Sequence, residues 1–125
     1  MKLIIFLSAF SILLLSASDC SKKNDNPVRY KGKLEIKGIC MNYTISLIEG
    51  EIDTSKLVET WIDETTGISY DNVFKLGSPC TFPASINQGD EFYFTIDTNS
   101  IQNCAVCMAY YPTPQKSIAI KVLDK

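Results

Sequence analysis

Histidine is missing from this 125-residue chain, tryptophan occurs once, and the longest apolar run, Leu3 to Leu15, falls short of the ~20 residues that a bilayer-spanning helix needs. The first absence excludes most. Ser-His-Asp and Cys-His nucleophile systems, His-ligated zinc and the His general base all need an imidazole that titrates near neutrality. With those mechanisms closed, the chain is read as non-catalytic, with no cofactor and no bound metal expected. A strong charge of one sign is also lacking, since 12 basic and 14 acidic residues leave a net charge of −2. One domain is the natural count for this length.

What is present begins with an address. Lys2 precedes the run from Leu3 to Leu15, which only Ser8 and Ser11 interrupt, and the small residues Ser16, Ala17 and Ser18 follow. A positive start, a short apolar stretch and small residues before polar sequence predict a secretory signal peptide over 1–19. Next come Cys20-Ser21-Lys22-Lys23-Asn24-Asp25-Asn26-Pro27. This stretch resembles the start of bacterial lipoproteins of the Bacteroidota type, in which a cysteine after the apolar run becomes the lipidated first residue of a polar tether. The resemblance implies cleavage before Cys20, a tether over 20–31, acyl chains such as palmitate on Cys20, and attachment to the outer membrane or cell surface. Ala17 and Asp19 depart from that pattern, which prefers Leu three residues before the cysteine and a small residue beside it. Cleavage after Ser18, giving a soluble periplasmic protein, is the alternative.

Cysteine arithmetic supports lipidation independently. Five is odd, and acylation of Cys20 leaves Cys40, Cys80, Cys104 and Cys107 as an even set in an oxidising compartment. Three pairings are possible, and the sequence does not choose among them; Cys40 with Cys107 and Cys80 with Cys104 is the pairing we expect. Cys104-Ala105-Val106-Cys107 also admits a thiol-disulfide redox reading, and four thiolates admit a metal site. No βαβ setting surrounds that motif, so structural disulfides are the leading reading.

From Lys31 onward, alternation of apolar and polar residues predicts strands. Leu34 and Ile36, then Tyr43 to Leu47, Phe92 to Ile96 and Ile118 to Val122, carry the pattern, and Gly38 allows a bulge or bend. Leu57 to Asp63 and Ile68 to Leu76 flank Glu64-Thr65-Thr66-Gly67 as a hairpin; a helix competes over the first of them, since Leu57, Val58, Trp61 and Ile62 share a helical face. A further strand is predicted over Val106 to Tyr110. Six or seven short strands without crossover helices predict an all-β domain over 32–125, a small antiparallel barrel, with an Ig-like sandwich as the alternative. Gly32-Lys33-Leu34, the run Gly38-Ile39-Cys40, Tyr70 to Leu76, Gly89 to Phe94 and Ser117 to Leu123 together resemble small Bacteroidota envelope lipoproteins of unknown function with an OB-like barrel. That resemblance implies a fold and no activity.

Six basic residues (Lys22, Lys23, Arg29, Lys31, Lys33, Lys37) fall between positions 22 and 37, where they could meet anionic headgroups or form a solvated linker. Residues 38–125 carry five basic and eleven acidic residues, which argues against nucleic acid as a partner. Glu49, Glu51 and Asp53 alternate as oxygen ligands for calcium would, but the position requiring Gly in an EF-hand is Val58. No carboxylate pair is placed for glycoside hydrolysis. The Asn42-Tyr43-Thr44 sequon is incidental in a bacterial lipoprotein. Phe74, Phe92 and Phe94 belong to the core by alternation, whereas Trp61, Tyr70, Tyr93, Tyr110 and Tyr111 are candidates for the outer face. There, aromatic rings either stack on sugars, anchor a protein partner or merely cover the sheet. Trp61, Tyr110 and Tyr111 are the expected ligand surface, stiffened by Pro112-Thr113-Pro114. A non-catalytic envelope module, either structural or binding a glycan or protein ligand, is the leading expectation, and an inhibitor of an exported hydrolase or a redox protein using Cys104 and Cys107 the alternatives.

Intact mass of the mature protein from its native host should equal residues 20–125 plus acyl chains. Its four remaining cysteines should resist alkylation until reduced.

Overall fold

A computed structural model describes residues 26–124. The expected signal peptide, Cys20 and the tether as far as residue 25 lie outside the described residues. Seven strands succeed one another along the chain: β1 (Tyr30–Lys37), β2 (Tyr43–Glu49), β3 (Val58–Ile62), β4 (Ser69–Leu76), β5 (Glu91–Ile96), β6 (Ser117–Ile118) and β7 (Ile120–Val122). Only short 3-10 turns interrupt them among the described residues, so the domain is all-β. β1 begins at Tyr30, inside the stretch expected to be tether.

All seven strands belong to one sheet in the order β3-β4-β2-β1-β5-β7, with β6 beside β4. Every pair is antiparallel except β4 with β6. The last strand segment curls the sheet back on itself, because Ser117–Ile118 pairs with β4 and Ile120–Val122 pairs with β5. The result is OB-like and barrel-shaped without being a closed ladder. A seam runs between β4 and β7, and Ser78 bridges it. Its buried hydroxyl donates to the Ile120 carbonyl and accepts from the Ile120 N–H, both at 2.8 Å. One side chain thus supplies the pair of hydrogen bonds that a neighbouring strand would have given.

Alternation explains the core. Leu34, Ile45, Phe74, Leu76, Phe92, Phe94, Ile118 and Ile120 form one buried cluster. Its rings run in a chain from Phe74 through Phe94 and Phe92 to Phe82 and Tyr43, with centroids 5.5–6.0 Å apart. The register of β1 on β2 slips between Leu34 and Ile36, so Ile36 pairs with Thr44 on the face opposite Leu34 and Ile45. Ile36 and Val73 are buried there, outside the core cluster. The bend expected of Gly38 therefore occurs earlier, within β1. Gly38 itself, at φ −70°, has a backbone open to any residue; what it needs is space, because an added Cβ would lie 2.5 Å from the Asn42 carbonyl oxygen and 3.1 Å from the Tyr111 ring.

The segment Leu57 to Asp63 is a strand rather than the competing helix, since Val58, Thr60, Trp61 and Ile62 pair in unbroken register with Val73, Asp71, Tyr70 and Ser69. The strand expected over Val106 to Tyr110 is not formed. Cys104 and Cys107, three residues apart, are bonded to two different parts of the barrel, and the run after them lies against the 3-10 turn that carries Cys40 rather than beside a strand.

Ser78→Ala leaves the Ile120 N–H buried without an acceptor and should lower stability by about 1–3 kcal/mol in urea unfolding. Gly38→Ala should cost a similar ~1–3 kcal/mol by forcing Asn42 and Tyr111 apart.

Candidate functional site

Between β5 and β6 the chain runs from 97 to 116 without regular structure, past the ~12–15 residues beyond which such loops are uncommon and usually functional. Cross-links hold it in place. Cys40, in the 3-10 turn Ile39–Met41, is bonded to Cys107, and Cys80, in the turn Pro79–Thr81, is bonded to Cys104. The loops closed span 67 and 24 residues, for which chain-entropy arguments give roughly 4 and 3.5 kcal/mol. Gln102 accepts from the Cys80 N–H at 2.8 Å, and Asn42 donates to the Ala109 carbonyl at 2.9 Å. Pro112 and Pro114 are buried, so the end of the segment is anchored too. Cys40 and Met41 occupy the left-handed region, at φ 54° and 59°. Such backbone is uncommon for non-glycine residues and persists only where the surroundings hold it.

Tyr111 is the expected aromatic that the structure places differently from a free platform. It is half-buried, and its hydroxyl donates to Asp63 Oδ2 at 3.1 Å. Asp63 is 1 % exposed at the start of the β3–β4 turn, where Oδ1 accepts from the Thr65 N–H (2.9 Å) and the Thr65 hydroxyl (2.7 Å). The Thr66 hydroxyl adds a bond to Oδ2 at 3.2 Å, while the Asp63 carbonyl accepts from the Gly67 N–H at 2.7 Å. Burial opposes ionisation of this carboxyl, but the hydrogen bonds from Thr65, Tyr111 and Thr66 outweigh it and hold it below the ordinary carboxylate range. One buried charge thereby joins the turn to the cross-linked segment.

Around this joint lie the remaining aromatics. Trp61 stacks on Tyr70 with centroids 6.1 Å apart and planes 30° apart. Burial first, then the carboxylates of Glu35 and Asp63, pushes the Tyr70 hydroxyl above its ordinary range. Tyr110 is 78 % exposed, and its hydroxyl donates to Glu64 in the same turn at 3.1 Å. Ile62 and Ile68 are exposed on either side of the turn, Ile62 on the face of β3 opposite Trp61. Met108, 96 % exposed, stands near a recess of about 350 Å³ that Cys40, Met41, Lys75 and Tyr110 help to wall. Tyr93 is occupied otherwise, since the Arg29 guanidinium sits 3.6 Å over its ring.

Of the six clustered basic residues, the four that the structure describes, Arg29, Lys31, Lys33 and Lys37, are engaged within the domain. Lys31 reaches Glu91 at 3.1 Å and Glu49 at 3.8 Å, Lys33 reaches Glu35 at 3.6 Å, and Lys37 donates to the carbonyls of Ile86 and Ala84. Asp53, one of the three alternating acids, caps the turn Thr54–Lys56 by accepting from the Ser55 N–H, which lowers its carboxyl below the usual range. Among the described residues no three His, Cys, Asp or Glu side chains are grouped to hold a metal. In the sequon, the Asn42 amide is spent on the Ile39 and Ala109 carbonyls and Thr44 is fully buried. Asp63, Thr65 and Thr66 escaped the sequence reading. Their signal was Asp63-Glu64-Thr65-Thr66-Gly67 itself, an Asp with hydroxyls two and three residues on, the composition of an Asx turn.

Asp63→Ala strands the Tyr111, Thr65 and Thr66 donors and should cost about 1–3 kcal/mol at neutral pH. Asp63→Asn tests the charge. Because the folded carboxyl titrates below its ordinary 3.8, the stability it adds is present above that value and lost as pH falls through the lower folded one. Urea unfolding of the two proteins should differ at neutral pH and converge in acid. No protein-family model matches this chain, and no curated protein and no solved structure is similar to it.

Proposed function

We propose that this is a lipid-anchored cell-envelope protein whose single disulfide-stapled β domain binds a glycan without catalysis. The observation that carries the ligand class is the stacked pair of Trp61 and Tyr70 on the β3–β4 hairpin, whose turn is held by Asp63 and contacted through Glu64 by the exposed Tyr110. A sugar ring presents flat C–H faces to such rings, and a surface ordered before binding loses little further entropy. Tyr111 supports this surface from beneath and does not contact the ligand. Disulfides fit an oxidising, exported setting, and acylation of Cys20 would hold the domain at a membrane through two or more chains.

An envelope protein as ligand is the second reading, favoured by Ile62 and Ile68, exposed on either side of the turn. A thiol-disulfide enzyme has less support, because a C-x-x-C cycle closes a bond between its own two sulfurs. Cys104 and Cys107 are each bonded elsewhere.

On glycan arrays, Trp61→Ala should weaken binding of the mature protein by about tenfold or more, equivalent to ~1.4 kcal/mol. Tyr110→Ala should weaken it less. Wild-type protein that retained no glycan, yet captured an envelope protein through Ile62 and Ile68, would replace this reading by the second.

A further inference from the structure

The edge of β4 away from β2 is shared between two strands. Positions 69–73 pair with β3, and positions 75–76 pair with β6. Where β3 departs and β6 takes over, the sheet forks, and the fork opens a cleft of about 620 Å³. Leu57 and Val58 supply its apolar lining, while Glu59, Asn72, Gln115 and Lys116 contribute polar groups from three separate segments. The volume lies within the ~300–1,000 Å³ common for small-molecule sites.

These polar groups differ in what they have left to offer. Lys116 is committed, since its ammonium donates to the Leu57 carbonyl at 2.9 Å and the Thr54 carbonyl at 3.4 Å, bracing the fork. Among the described residues, Glu59, Asn72 and Gln115 make no side-chain hydrogen bond within the protein. They comprise one acceptor-only carboxylate and two amides that each donate and accept. Hydroxyl groups, which also donate and accept, satisfy this set. All three are exposed and hydrated in the free protein. A phosphate would meet the Glu59 charge beside an ammonium already committed to two carbonyls, a cation would find a single carboxylate, and an apolar ligand would displace water from these groups without replacing its hydrogen bonds. Asn72 adopts φ 51°, a left-handed conformation inside β4, between Asp71 and Val73, which keep their register with β3. Trp61 lies two residues beyond Glu59 along β3, about 7 Å at the ~3.3 Å rise of a strand.

We propose that the fork cleft is a hydroxyl-reading subsite for one neutral, pyranose-sized sugar unit, with Glu59, Asn72 and Gln115 as its hydrogen-bonding groups. It rests on the glycan-binding function proposed for the Trp61 platform, placing one sugar in the cleft and its neighbour in the chain against Trp61.

Side-chain amide resonances give a direct test on the full mature chain carrying Cys20→Ser. Titration with free glucose, galactose, mannose and N-acetylglucosamine should produce saturable shifts of the Asn72 and Gln115 amides with at least one of them. Glu59→Ala should weaken that binding by about tenfold or more. Asn72→Gly should weaken it too, while keeping or raising stability, because glycine accepts the left-handed backbone without its steric cost. Absence of shifts with every sugar, or shifts unchanged in Glu59→Ala and Asn72→Gly, overturns the cleft. If the cleft fails but glycan retention still depends on Trp61, the platform reading survives alone. If monosaccharides saturate the cleft while Trp61→Ala leaves polymer retention unchanged, the cleft stands and the platform reading falls.

Discussion

Two cross-links from a single four-residue motif are the constraint on which the surface of this domain depends. Cys104 and Cys107 are too close in sequence to lie on different secondary elements, yet they bond to Cys80 beyond β4 and to Cys40 between β1 and β2. The segment they belong to forms neither helix nor strand, and it is tied to the barrel by the Asn42 amide on the Ala109 carbonyl and by Gln102 on the Cys80 N–H. Chain entropy alone would favour releasing so long a connection into solvent. The bonds remove that alternative, and the stretch from Tyr110 to Pro114, just beyond the second of them, is delivered to the barrel at a fixed position.

That delivery makes the Asp63 joint possible. A buried carboxylate is costly unless hydrogen bonds replace its water. Three donors come from Thr65 and Thr66 within the turn, and the fourth comes from Tyr111, far away in sequence. The charge is therefore only fully satisfied when the cross-linked segment is docked, and the segment's docking is directional because the charge awaits it. Tyr111 and Tyr110, adjacent in sequence, divide the work: one hydroxyl faces a buried carboxylate and the other an exposed one. A surface assembled in this way is ordered before any partner arrives.

Much of the barrel was legible because its physics is periodic. Leu34, Ile45, Phe74, Phe92, Phe94, Ile118 and Ile120 announce themselves by alternation, and all are buried. Ile36 shows where periodicity fails: it continues the alternation of β1 in sequence, but a slip in register carries it to the opposite face, and nothing local marks that slip. The cross-linked segment was misread for a related reason. Val106 to Tyr110 has the composition of a strand, and the forces that override composition there are covalent and long-range. For the site, aromatic type identified Trp61 and Tyr110 as surface residues, but which tyrosine supports and which is displayed depends on where Asp63 sits three-dimensionally.

The seam and the fork are two consequences of one shortage of strand. β6 and β7 together must complete a sheet that needs a longer strand on the β4 side, so pairing with β4 stops after Ile118. On one flank of that short ladder Ser78 stands in for the missing backbone partner; on the other, β3 occupies the free part of the β4 edge and then turns away at Val58. Extending β6 backwards from Ser117 along β4 would take it into the space that β3 and the cleft now hold. A barrel with a longer last strand would hence be better hydrogen-bonded and would lack both the hairpin that displays Trp61 and the opening beside Glu59. The incomplete ladder is the structural condition for having an opening at this edge at all, and the buried Ser78 supplies the backbone hydrogen bonds that the ladder leaves unmade there.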